Sequence, residues 1–213
     1  MEPVQSLAAN YAAAIKVIDE AHAQDPNTIA GDHGTVPYEL HYAQKMTRWL
    51  AKRKPDASPA LQLACRAQHF RRWELPRSSY PMTRAGYLTW RAKQKSQAAL
   101  QVAELLSSSP AIQPPLGRDE VERVAALVRK ENLKDDEETQ VLEDVACLVF
   151  LDDQFDGFET KPEIDEDKVV GILRKTWAKM SKEGQQLALG MQLSERATML
   201  IQKALAVDGE GSS

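Results

Sequence analysis

Three polar residues stand where a side chain faces an apolar stripe: His41 in "YELHYAQKM", His69 in "ACRAQHFRRWEL" and Asp144 in "TQVLEDVACLVFLDD". Imidazole and carboxylate together suit a divalent transition metal with open coordination positions. The expected cofactor is therefore Mn, Fe, Co, Ni or Zn, held by His41, His69 and Asp144. Glu143 and Lys130 complete the expected catalytic set, Glu143 as base or outer partner. Around His69 positive charge gathers, from Arg66 and Arg71 through Arg72 and Arg77 to Arg84 and Arg91. A guanidinium is a fixed charge whose planar fork matches phosphate or carboxylate oxygens. Arg66, Arg72, Trp73, Arg77, Tyr80, Arg84 and Arg91 are thus expected to bind a small anionic ligand, phosphorylated by preference.

Each feature also has a plainer reading. Buried charges are paired in folded proteins, so Asp144 also suits an ion pair with one of the arginines. The arginines in turn suit helix-to-helix pairs with Glu74, Glu143 and Asp144. A lone His on an apolar face is more often a satisfied core residue. His22, in "DEAHAQD", reads as solvent-facing, and His33 as part of a Gly-flanked loop.

Nearly every element that must position these residues is helical. Val4, Leu7, Ala8, Tyr11, Ile15 and Ile18 mark one apolar face over 4–24. "DPNTIAGDHGTVP" reads as a loop, and Leu40, Ala43, Met46, Trp49 and Leu50 mark a helix over 38–53. Ser58 then serves as N-cap, with Pro59 at the first helical position. A helix over 60–73 carries Arg66, His69 and Arg72 on or beside one face. Further helices are expected at 83–107, 118–131, 136–155, 166–180 and 193–206. Val141 to Leu151 is apolar on every side except at Glu143 and Asp144, which marks a central helix. The fold class expected is all-α: a single-domain helical bundle over 1–207, with "DGEGSS" at 208–213 a frayed tail.

The chain has 213 residues, enough for one substantial core, with 43% hydrophobic and 27% charged residues. A net charge of −4 argues against general nucleic-acid coating. No DNA partner is expected, and RNA binding through the Arg/Trp surface is the weaker option. Cys65 and Cys147 each lie in an apolar helical pattern and read as packed thiols. No apolar run approaches the roughly 20 residues of a membrane span, and no membrane partner is expected. Glu2, Asp19 and Glu20 do not suit a signal or transit peptide. The cytoplasm is the expected compartment.

A His on one helix, a second His some 28 residues later, and then "LEDVACLVFL" resembles the element order of the HD superfamily of helical phosphohydrolases. That resemblance implies an HD-like core and metal ligation by His41, His69 and Asp144. Phe70 stands where that family has its second-ligand Asp, leaving three protein ligands. Over nearly its whole length the chain resembles the domain-of-unknown-function 4202 family, through "ELHYAQKMTRWL", "RAQHFRRWELPRSSYPMTRAGYLTWR", "VRKENLK" and "VLEDVACLVFL". Members sometimes carry a glutamyl-tRNA synthetase label, and "KMSKEG" at 179–184 resembles the lysine loop of class I synthetases. That loop works on a Rossmann domain, and no parallel-sheet pattern accompanies it here. Ser181 reads more simply as an N-cap before "KEGQQLALGM". The function expected is metal-assisted hydrolysis of a small phosphorylated metabolite or nucleotide. Its rival is a non-catalytic anion-binding module that has lost the metal centre.

Overall fold

A computed structural model describes residues 7–31, 34–155 and 165–206. His33, the expected tail and part of the expected first helix lie outside them. The fold is mostly α-helical. The chain divides into two compact units, Met1–Leu142 and Glu143–Ser213.

In the first unit, α1 (Ala9–His22) leads to a hairpin of β1 (Thr28–Gly31) and β2 (Gly34–Pro37). Its antiparallel register sets Thr28 against Pro37 and Ile29 against Val36. The hairpin replaces the loop expected there: four-residue strands are too short to reveal a two-residue period. There follow α2 (Tyr38–Arg53), α3 (Pro59–Arg66), α4 (Arg84–Ser108), α5 (Arg118–Arg129) and the start of α6 (Glu137–Val149). Helix α3 packs against α1, α2 and α5. That position explains its composition, since every residue from Leu61 to Arg66 is buried. The Ser58 hydroxyl accepts the Leu61 N–H at 3.1 Å, with Pro59 in the first turn, which fixes where the helix begins.

Helix α4 starts the same way, with Thr83 Oγ1 accepting the Gly86 N–H at 3.1 Å. A Cβ at Gly86 would fall 2.2 Å from the Pro81 carbonyl oxygen, so only glycine permits this approach. Arg123 of α5 forks onto Asp136 and Glu138 at the start of α6. The Arg123 guanidinium holds the Asp136 carboxyl down at about 2.

In the second unit, α6 continues into a π turn, Phe150–Gln154, followed by α7 (Glu166–Trp177), α8 (Lys182–Leu189) and α9 (Glu195–Ala206). Helices α7 and α9 pack on each other. Val145, Leu148 and Leu151 are buried here, as Val141 and Leu142 are in the first unit. Cys65 and Cys147 are buried and not joined in a disulfide. Among the described residues no helix is long and apolar enough to cross a membrane.

Candidate functional site

Helix α3 stops at Arg66, seven residues short of the expected end. The cause is backbone conformation: His69 has φ 62° and Arg71 φ 48°. A left-handed non-glycine residue costs about 1–2 kcal/mol, so the corner must be held from outside. The holder is Glu39 in the first turn of α2. Its Oε2 accepts the Arg71 N–H at 2.9 Å and its Oε1 the Arg72 N–H at 2.5 Å. His22 Nδ1 lies 3.0 Å from the same Oε2, and His22 Nε2 is 2.9 Å from the Arg66 carbonyl oxygen. A carbonyl only accepts, so Nε2 carries a proton and donates it. Asp25 fixes Glu39 in turn, its Oδ2 accepting the Glu39 N–H at 3.0 Å. His22 is fully buried, correcting the solvent-facing reading: it pins the end of α3 to α2. Burial pushes the Glu39 carboxyl above its ordinary range, against the lowering bonds from His22 and the Arg72 N–H.

The held corner forms one wall of a small cleft open to solvent. The opposite wall is one face of α4, with Arg91, Gln94, Lys95 and Ala98 at helical spacing. Leu75 and Val128 supply apolar surface, and Lys130 closes the end beyond α5, itself left-handed at φ 58°. Five cationic side chains line the cleft (Arg71, Arg72, Arg91, Lys95 and Lys130), and no carboxylate does.

The His69 ring stacks on Tyr42 of α2, centroids 4.3 Å apart and planes 19° from parallel. Arg72 Nη1 stands 3.0 Å from His69 Nε2. Burial, then the charges of Arg72, Arg91, Lys130 and His22, hold the His69 imidazole well below its ordinary pKa. His69 is therefore neutral, and its Nε2 accepts from Arg72. Arg72 is itself lowered, by burial first and Arg91 second. Its guanidinium lies 5.1 Å from the Trp90 ring, whose Nε1 donates to the Leu75 carbonyl at 2.9 Å. Two buried donors on this wall lack a hydrogen-bond partner, Gln68 Nε2 and Arg71 Nε. The Glu74 carboxylate is 3.9 Å from Arg71 Nε, beyond hydrogen-bond reach.

Of the expected ligand-binding residues, Arg72 and Arg91 meet here around His69, joined by Lys130 from the expected catalytic set. Arg66 does not. Its Nε and Nη2 fork onto Asp19 at 2.6 and 2.7 Å, and Nη1 donates to Thr47 Oγ1 at 3.0 Å. It ties α3 to α1 and α2, and the helical face it was expected to share with His69 does not exist. Arg77 donates to the carbonyls of Tyr80 and Pro81 at 2.9 and 2.8 Å, bracing the turn before α4. Trp73, Tyr80 and Arg84 are absent from the cleft wall, and Arg84 is exposed. Sequence reasoning missed Gln68, Gln94, Lys95 and Gln97, and placed Arg71 in the charge cluster without assigning it to the ligand. The spacing 91, 94, 95, 98 is a one-face signal that could have found three positions on α4.

Asp144 and Glu143 belong to the second unit. Asp144 is fully buried, its Oδ1 accepting the Ser181 N–H at 2.7 Å and its Oδ2 the Ser181 hydroxyl at 2.6 Å. Ser181 caps α8 by accepting the Gly184 N–H at 3.1 Å. A Cβ on Gly184 would sit 2.7 Å from Asp144 Cγ, so the glycine makes room for the carboxylate. Lys179 Nζ lies 3.7 Å from Glu143 Oε1. "KMSKEG" is thus the segment that receives the α6 carboxylates, with Ser181 the N-cap its sequence suggests.

His41 sits half-buried on α2. Among the described residues no three of His, Cys, Asp and Glu stand close enough to hold a metal ion. Both Asp144 oxygens are engaged by Ser181 within the second unit.

A family model for a domain of unknown function, DUF4202, matches residues 12–201. The chain belongs to the DUF4202 family. No curated protein and no solved structure matches it. The DUF4202 description carries no activity.

Proposed function

We propose that this DUF4202 protein binds a small phosphorylated ligand in the cleft around His69. The observation that carries the reading is the wall itself, five cations with no carboxylate among them. Like charges gathered in a partly buried place repel one another and oppose their own desolvation. An oxyanion reverses both costs, and charge-assisted bonds to phosphate are about twice as strong as neutral ones. The unpartnered Gln68 Nε2 and Arg71 Nε are both donors, so what they lack is an acceptor. Leaving such a group unsatisfied costs about 1–3 kcal/mol. Left-handed backbone at His69, Arg71 and Lys130 supports the same reading, since strain of this kind gathers at ligand clamps.

The test is calorimetric titration of the full chain with inorganic phosphate, beside Arg72→Gln. The wild type should bind saturably and the variant about tenfold or more weakly, a loss near 1.4 kcal/mol. Equal binding by both, or none by either, contradicts the reading.

Hydrolysis of the bound ligand is a second reading with one observation in its favour. The cations around His69 can stabilise the charge that develops as water displaces a leaving group from phosphorus. Its test is phosphate release from phosphomonoesters with Mn, Fe, Co, Ni or Zn supplied and then chelated. Turnover lost in Arg91→Gln under saturating substrate supports it; no release by the wild type under any of these conditions removes it.

A further inference from the structure

We infer that the exposed face of α4 is a homodimer interface, on which this helix packs antiparallel to α4 of a second copy of the chain. The residues that carry it form one row at a spacing of four: Arg84, Leu88, Ala92, Ser96, Leu100 and Glu104. All six are exposed, Leu88 by 58% and Leu100 by 69%. Solvated helix faces ordinarily carry charged or polar side chains. Single exposed leucines are common, but contiguous apolar surface marks an interaction site. Here the two leucines are joined by Ala92 and the small Ser96. Ala85 and Thr89 extend the surface beside them, and the Thr89 hydroxyl donates within its own helix, to the Ala85 carbonyl at 3.0 Å. The opposite side of α4 is already covered, with Ala98, Ala99, Val102 and Leu106 buried and α5 packed against the helix.

The order along the row selects a second copy as the partner. Outward from its midpoint, in either direction, it runs small residue, leucine, charge, with Arg84 at one end and Glu104 at the other. A two-fold axis at that midpoint sets Ala92 on the second copy's Ser96, Leu88 on its Leu100, and Arg84 toward its Glu104. An isologous interface requires a surface complementary to itself, and antiparallel pairing gives this row that property in shape and in charge. Rows of residues four apart are the ridges that interdigitate in the commonest class of helix packing. The row spans about 30 Å of helix, and its small central residues let the two backbones approach. The same symmetry brings Lys93 toward the second copy's Lys95, off the row, where water and salt screen like charges. Arg84, Leu88, Leu100 and Glu104 are absent from the cleft wall, so this inference is independent of the binding reading. A contact confined to one helix pair sits at the small end of specific interfaces, so the dimer should dissociate on dilution.

The experiment is analytical ultracentrifugation of the full chain over a concentration series, with the melting temperature of each variant measured alongside. The wild type should pass from monomer to dimer as concentration rises. Leu88→Lys and Leu100→Lys, at exposed positions, should melt normally and weaken dimerisation about tenfold or more. Arg84→Glu and Glu104→Arg should each weaken it by setting like charges together at both ends of the row. The double variant Arg84→Glu/Glu104→Arg should restore it. A wild type that stays monomeric throughout overturns the inference and leaves the row to a different protein. A dimer untouched by either leucine substitution overturns it by placing the interface elsewhere. A double charge variant no tighter than the single ones overturns the antiparallel pairing.

Discussion

Glu39 accepts the Arg72 N–H at 2.5 Å, and the same carboxylate takes the Arg71 N–H at 2.9 Å. A residue 33 positions upstream thus determines that α3 ends where it does and that His69 and Arg72 face the cleft. Glu39→Gln keeps the shape but offers an NH2 group where an acceptor stood, leaving one backbone donor without its bond. The expected cost is about 1–3 kcal/mol of stability, with weaker phosphate binding because the corner relaxes. Melting temperature and calorimetric affinity, measured together, check it. Unchanged values for both would mean that other contacts hold the corner.

The acid limb of stability should report His69. Its folded pKa lies below the ordinary 6.5, so below that pH the unfolded chain takes up a proton that the folded chain refuses. This contribution is present above pH 6.5 and is lost as the pH falls. Glu39 acts oppositely: its folded pKa lies above 4.5, so the cost of its buried charge is relieved on acidification. Wild-type melting temperature should therefore fall more steeply than that of His69→Gln between about pH 7 and pH 5.5. Parallel curves would contradict a neutral, cation-flanked imidazole.

The helices were legible because their apolar spacing is local. The corner at 67–72 was not, because residues 60–73 read as one helix until Glu39, His22 and Asp25 are added from elsewhere in the chain. Arg66 was misread for the same reason, since its partner Asp19 lies 47 positions away. Arg72, Arg91 and Lys130 were identifiable as a charge cluster near His69. Lys95 and Gln94 looked like an ordinary solvated helix face. The buried carboxylate of Asp144 was plain from its stripe, but its acceptance of Ser181 depends on a segment 37 residues further on.

Arg66 should matter for folding and not for ligand. Asp19→Asn removes the charge its fork grips. The expected loss is about 2–3 kcal/mol, below the ~3–5 of a fully buried pair because the Asp19 side chain is 28% exposed. Phosphate affinity of the folded variant should equal the wild type. A variant that melts normally but binds poorly would return Arg66 to the ligand site.

Asp144, Ser181 and Gly184 should behave as one packed unit. Gly184→Ala forces a methyl against Asp144 and should cost about 1–3 kcal/mol. Asp144→Asn and Ser181→Ala should each destabilise, and their double-mutant cycle should show a coupling of about 0.5–3 kcal/mol. Denaturant midpoints, with and without chelator, are the measurement. A stable Asp144→Asn whose wild-type parent loses stability on chelation would mark Asp144 as a metal ligand instead.

The central claim is that a phosphorylated anion sits against His69, and histidine ring resonances read that place directly. The 1H–13C ring signals of His69, assigned with His69→Gln, should shift saturably as phosphate is added at pH 7. The same titration on Arg72→Gln should need about tenfold or more phosphate to reach half its shift. A His69 signal that stays fixed while the anion binds elsewhere, or that moves equally in both proteins, would contradict the assignment of the cleft.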